Sequence, residues 1–92
     1  MQFITGRIVF IGNNQVIKKP DGNFSSVIFA IKKRMNKKPR NIAFKCYGKL
    51  AEKLLDLRID DKVEVEYLID SKKSNTDSWW TNLQARGVER II

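Results

Sequence analysis

The sequence predicts an all-β barrel of five strands with one short helix between the third and the fourth. Three features predict it: apolar residues that alternate with polar ones at the strand period of two, a single switch to helical spacing after Gly48, and turn-forming residues between the apolar segments. The 92 residues suit one domain, residues 1–92. A chain of this size buries about two thirds of the surface its unfolded form exposes, enough for one core.

Phe3 to Ile11 is apolar on both faces and rich in β-branched and aromatic residues, as expected of a long, curved first strand. Gly6 and Gly12 allow it to bend or end. Lys19-Pro20-Asp21-Gly22-Asn23 is a turn signal leading into a second strand, Phe24 to Arg34. In that strand Val27, Phe29 and Ile31 share one face, and Ile28, Ala30, Lys32 and Arg34 the other. Residues 32–40 place six basic groups in nine positions. They read as a loop, because Pro39 argues against a central strand.

The third strand runs from Asn41 to Tyr47, with Ile42, Phe44 and Cys46 facing one way and Ala43, Lys45 and Tyr47 the other. After Gly48 the spacing of Leu50, Leu54 and Leu57, with Ala51 and Leu55 beside them, predicts a helix of about two to three turns. Asp60-Asp61 makes a turn. Val63, Val65, Tyr67 and Ile69 then alternate with Glu64, Glu66, Leu68 and Asp70 in a half-buried fourth strand. Ser71 to Ser78 reads as a hairpin loop, and a last strand from Trp79 to Ile91 carries Gly87 as a bulge. Three strands, a helix and two strands is the order of the OB-fold, a Greek-key barrel that binds oligomers across strands two and three.

The net charge of +8 is unevenly placed: residues 1–49 hold 11 basic groups and one acid, Asp21, whereas residues 50–92 hold seven basic groups and nine acids. A polyanionic partner fits that field better than an acidic small molecule. Histidine is absent, which removes the usual triads and the commonest general base. The single cysteine, Cys46, makes neither an internal disulfide nor a structural zinc site, and its apolar setting fits a reducing compartment. No phosphate-cradling glycine run occurs. Glu64 and Glu66 lie two apart on one strand, but alternate acids opposite Val63 and Val65 are better explained as its wet face. No catalytic residues, metal ligands or cofactors are expected.

The cations and aromatics are co-located. Lys32, Arg34, Lys45 and Tyr47 fall on matching faces of strands two and three, and Lys37, Lys38 and Arg40 sit in the segment that joins them. Lys and Arg follow phosphates, while an aromatic ring offers a face on which an unpaired base stacks. Packing at the barrel rim is the competing role for Tyr47. Trp79 and Trp80 are adjacent and so point to opposite faces. Parity puts Trp80 with Asn82, Gln84 and Arg86, making it a second contact candidate that is as well suited to dimer packing. Arg7 on the first strand completes the candidates.

The run Phe44-Lys45-Cys46-Tyr47-Gly48-Lys49-Leu50-Ala51-Glu52 resembles the bacterial and phage single-stranded DNA-binding proteins, whose third strand ends in an aromatic followed by Gly-Lys-Leu-Ala-Glu and a short helix. Thr5-Gly6-Arg7, Pro20-Asp21-Gly22-Asn23, Phe29-Ala30 and Lys62-Val63-Glu64-Val65-Glu66 extend the likeness along the chain. A small group of related bacterial proteins shares a segment like Trp79-Trp80-Thr81. The resemblance implies an OB-fold that coats single-stranded DNA in replication, recombination or repair, usually as an oligomer, with Tyr47 at a stacking position. Where the family often has Trp at the start of strand three this chain has Asn41, and where it has an aromatic near the end of strand two this chain has Lys33 to Met35. Fewer stacking platforms and more cations imply binding led by phosphates.

The expected partner is therefore single-stranded DNA, with RNA left open because 2′-hydroxyl contacts do not show in a sequence. A homo-oligomer, with a dimer favoured, and a cytoplasmic location in a bacterial cell or a phage host are expected. No membrane span is expected. The family's acidic C-terminal tip has no counterpart before Ile92, so recruitment of repair enzymes through a tip is not expected. Competing readings are a protein related to the primosomal replication proteins, an OB module whose basic face meets an acidic protein, and a metal-dependent nuclease using Glu64 or Glu66.

Overall fold

In the computed structural model residues 2–73 and 79–91 are described. The elements are β1 (Gln2–Ile11), β2 (Gln15–Lys19), β3 (Gly22–Met35), β4 (Lys38–Tyr47), α1 (Lys49–Lys53), a 3-10 turn (Leu54–Asp56), β5 (Lys62–Lys73) and β6 (Trp79–Arg90). The sheet runs β1-β5-β6-β4-β3-β2, and an added β1–β3 pairing closes five of the strands into a barrel. This is the OB-fold expected from the order of segments.

The sixth strand, β2, was not foreseen. It pairs with the start of β3 from Gln15↔Ser26 to Lys19↔Gly22, so the Pro20-Asp21 turn closes a hairpin of its own instead of linking the first barrel strand to the next. The helix consequently lies between β4 and β5, not between a third and a fourth strand. It is also shorter than its leucine spacing suggests: α1 spans five residues and gives way at once to the 3-10 turn. Gly48 starts it at φ 66°, a left-handed conformation that glycine adopts without steric cost, and its amide donates to the Ser25 carbonyl at 2.9 Å.

The basic segment at residues 32–40 is a second correction. It is the end of a β-hairpin, not a loop: β3 continues to Met35, β4 begins at Lys38, and their pairing extends through Arg34↔Pro39 to Met35↔Lys38. Asn36 and Lys37, at φ 48° and 66°, form a two-residue turn whose twist matches that of the strands. Pro39 is tolerated because β4 has β3 on one side there, while its registered pairing to β6 lies far along the strand at Lys45↔Gln84. A residue without an N–H costs no ladder bond on an open edge.

Alternation in β3 and β4 follows the expected faces, whereas Ile69 of β5, expected to share a face with Val63 and Val65, is exposed. Val27, Phe29 and Ile31 of β3 and Phe44 and Cys46 of β4 are buried, together with Ile8, Ala51, Leu54, Leu57, Val63, Val65, Ala85 and Val88. Phe29 and Phe44 stack with ring centroids 5.4 Å apart, and Tyr67 meets Phe44 edge-on at 5.4 Å. The expected bulge at Gly87 is present, since Glu66 pairs with Gly87 and Tyr67 with Ala85, which leaves Arg86 as the extra residue. That shift lets Ala85 and Val88 both face the core. Of the expected loop from Ser71 to Ser78, the first three residues belong to β5 and the other five lie outside the described residues. No described helix is long and apolar enough to cross a membrane.

Candidate nucleic-acid interface

The outer face of β3 and β4 is built from cross-strand pairs, and the partners in each pair project to the same side. From the α1 end these pairs are Ser26↔Tyr47, Ile28↔Lys45, Ala30↔Ala43, Lys32↔Asn41 and Arg34↔Pro39. The face thus grades from aromatic and aliphatic to cationic. Tyr47 is 41% exposed and Ile28 44% exposed, leaving both available to a ligand.

Phe10 joins this face because of a bulge in β1. Ile8 pairs with the buried Ile31, but the next registered pair is Phe10↔Ala30, so Val9 is the extra residue. One inserted residue reverses the parity of a strand. Simple alternation puts Phe10 beside Ile8 in the core, whereas it stands on the outer face with 52% of its surface exposed. Phe10 and Tyr47 then flank a groove of about 440 Å³ whose other lining residues include Gln15, Ser26, Ile28 and Lys45. A neighbouring groove of about 380 Å³ continues across Ala43 and Lys45 to Thr81, Asn82 and Leu83 of β6, and a third, of about 300 Å³, lies among Lys32, Arg34 and Pro39.

The structure therefore brings Lys32, Arg34, Lys45 and Tyr47 onto one surface. Lys37 occupies the hairpin turn. Lys38 and Arg40 differ in parity from Lys45 and Tyr47 and, with their partners Met35 and Lys33, lie on the opposite face of the hairpin. Arg7 pairs with Lys32 in the sheet, but its Nη1 donates to the Asp60 carbonyl at 3.1 Å, which directs the guanidinium toward the turn before β5. The backbone of Trp80 pairs with Lys72, and its side chain lies outside the described set. Phe10 and Ile28 are the site residues that reading by residue type missed. For Ile28 the signal was available, since its parity with Lys32 and Arg34 is plain.

Among the described residues the ion pairs are Lys53–Glu89 at 3.0 Å and Arg90–Asp61 at 3.1 Å, both away from the β3–β4 face. Among the described residues no carboxylate pairs with Lys32, Arg34 or Lys45. Burial pushes the Cys46 thiol, behind this face, up to about 11, so it stays neutral at physiological pH.

The barrel is thus an OB-fold with an open face that carries cations and exposed rings. No protein-family profile matches the sequence, and no curated protein matches it. Solved structures do share the fold. A deletion mutant of the single-stranded DNA-binding protein from Thermus aquaticus superposes with a TM-score of 0.70 at 16% identity, covering 98% of this chain and 40% of that one. The SSB domain of a Synechococcus protein gives 0.65 at 17% identity, covering 95% and 90%. The second OB-fold domain of replication protein A from Methanococcus maripaludis gives 0.61 at 13% identity, covering 97% and 81%. The chain spans less than half the length of the Thermus aquaticus protein.

Proposed function

We propose that this chain is a single-domain binder of single-stranded DNA that holds its ligand across the outer face of β3 and β4, without catalysis. The groove between Phe10 and Tyr47 carries this reading. It offers two exposed rings on either side of Ile28 and Lys45, and each base stacked on an aromatic contributes roughly 1 to 3 kcal/mol with little regard to sequence. Lys45, Lys32 and Arg34 lie on the same face and guide the phosphates from the groove toward the hairpin turn. Stacking needs unpaired bases, so duplex competes poorly.

The shared fold with single-stranded DNA-binding proteins supports the same reading, and coating of single strands during replication, recombination or repair is the role it suggests. Self-association fits as well: among the described residues Gln2 to Gly6 of β1 pair with β5 along one edge and with no strand along the other, and an unpaired strand edge is a template for a second strand. Titration of a fluorescent oligo-dT, with unlabelled duplex as competitor, tests the proposal. Phe10→Ala and Tyr47→Ala should each weaken binding by about 5- to 150-fold, the equivalent of one lost stack. Equal competition by duplex, or full affinity in both variants, removes the stacking site.

A further inference from the structure

The end of the β3–β4 hairpin is a two-stranded ribbon that stands clear of the barrel. The last registered pair between β1 and β3 is Arg7↔Lys32, the registered pairing of β4 to β6 is at Lys45, and the core ends at Ile31 and the half-buried Ile42. Beyond that point no registered strand pairing covers either edge of the ribbon among the described residues. Successive side chains of a strand project to opposite faces, so its cations divide into two sets. Lys32 and Arg34 continue the outer face, whereas Lys33, Lys38 and Arg40 lie on the back with Met35, following the pairs Lys33↔Arg40 and Met35↔Lys38. Lys38, Arg40 and Met35 are exposed and Lys33 is half-exposed. No acid occurs in the sequence between Asp21 and Glu52, so the chain supplies neither face of the ribbon with a neighbouring carboxylate along its own strands.

A single strand led along the outer face from Tyr47 through Lys45 to Lys32 and Arg34 leaves the protein at the turn. The back set is then unused, on the far side of a two-stranded ribbon. We infer that the back face, through Lys33, Lys38 and Arg40, holds a second single-stranded segment, so that the ribbon brings two strands together and promotes their annealing. The inference rests on the single-strand reading of the outer face. Electrostatics supply the mechanism. Two single strands repel one another, and the six cations of residues 32–40 lie between the two tracks. With a Debye length of about 8 Å at physiological salt, a large part of that charge is felt on both sides of so thin an element.

The test measures two quantities on the same proteins: the affinity for one labelled oligo-dT, and energy transfer between donor-labelled and acceptor-labelled oligo-dT, which cannot pair with each other. The annealing rate of a complementary pair is followed alongside. The triple variant Lys33→Ala, Lys38→Ala, Arg40→Ala should keep its affinity for one oligomer within about threefold and lose at least about fivefold in energy transfer and annealing rate, because three cations are removed from the second track alone. A charge-matched control, Lys18→Ala, Lys49→Ala, Lys62→Ala, should retain both activities, and circular dichroism with thermal melting establishes that each variant is folded.

Bridging that survives in the triple variant overturns the inference, since two outer faces in an oligomer would then account for it. So does an equal loss in the control, which would reduce the effect to net charge. Loss of one-oligomer affinity as great as the loss of transfer also overturns it, by showing one strand wrapped around the ribbon. Wild-type binding without energy transfer removes the second track and leaves the outer-face reading intact. Absence of any binding removes both.

Discussion

The outer-face cations make the salt dependence of binding calculable. Lys32, Arg34 and Lys45 lie on the face that carries Tyr47; if each neutralises one phosphate, the affinity for single-stranded DNA should fall with a log–log slope of about −2.1, at roughly −0.7 per phosphate. Between 50 and 200 mM salt that is a loss of about 18-fold. The double variant Lys32→Ala, Arg34→Ala keeps Lys45 alone, so its slope should shrink to about −0.7 and its loss over the same range to about 2.6-fold. Tyr47→Ala should do the reverse, lowering affinity at every salt concentration with the slope unchanged, because stacking releases no counterions. Fluorescence anisotropy of a labelled oligo-dT at four or five salt concentrations measures all three slopes. A double variant that weakens binding while retaining the wild-type slope refutes the reasoning, since Lys32 and Arg34 would then not touch phosphate.

Other substitutions test the scaffold. Phe44→Ala removes a fully buried ring that packs on Phe29 and Tyr67 and should cost about 3 to 5 kcal/mol, read by urea unfolding. Lys37→Gly relieves a non-glycine residue at φ 66° and should raise stability by about 1 kcal/mol in the same assay, since the left-handed region costs an L-residue roughly that much. The thiol of Cys46 ionises near 9 when exposed and near 11 when buried, so the unfolded chain gives up its proton first as pH rises. Stability should therefore decline between pH 9 and 11 and be unaffected by this group below pH 9, a contribution that Cys46→Ala should abolish from the pH profile of urea unfolding.

Much of the barrel could be read from the chain because its inner face depends on alternation alone. Val27, Phe29 and Ile31, and again Phe44 and Cys46, announce their burial by spacing, and all are buried. What escaped depends on features that alternation does not encode. The bulge at Val9 shifts Phe10 outward by one residue, and no residue type in Ile8-Val9-Phe10 marks where the extra residue falls. Pro39 was read as a breaker because the rule assumes neighbours on both sides of a strand; at the ribbon only one is present. β2 is short, and Gln15, Val16 and Lys18 are all exposed in it, so none of these three marks a strand by its burial. For the site, Lys32, Arg34, Lys45 and Tyr47 were legible as one set because β3 and β4 pair without a shift across that whole length. Lys38 and Arg40 were grouped with them by proximity along the chain, which ignores the pleat that sends them to the other side.

The closure of the barrel is uneven. β3 and β4 share ten registered pairs, and β5 and β6 eleven, whereas β4 and β6 run parallel and share one, Lys45↔Gln84. This seam lies beneath the groove that spans Lys45 and Asn82. A cylinder with one poorly stitched join opens there first when strained, and the tie that spans the join determines its strength. A ligand seated over that groove would supply such a tie, so that occupancy and mechanical integrity would become one property.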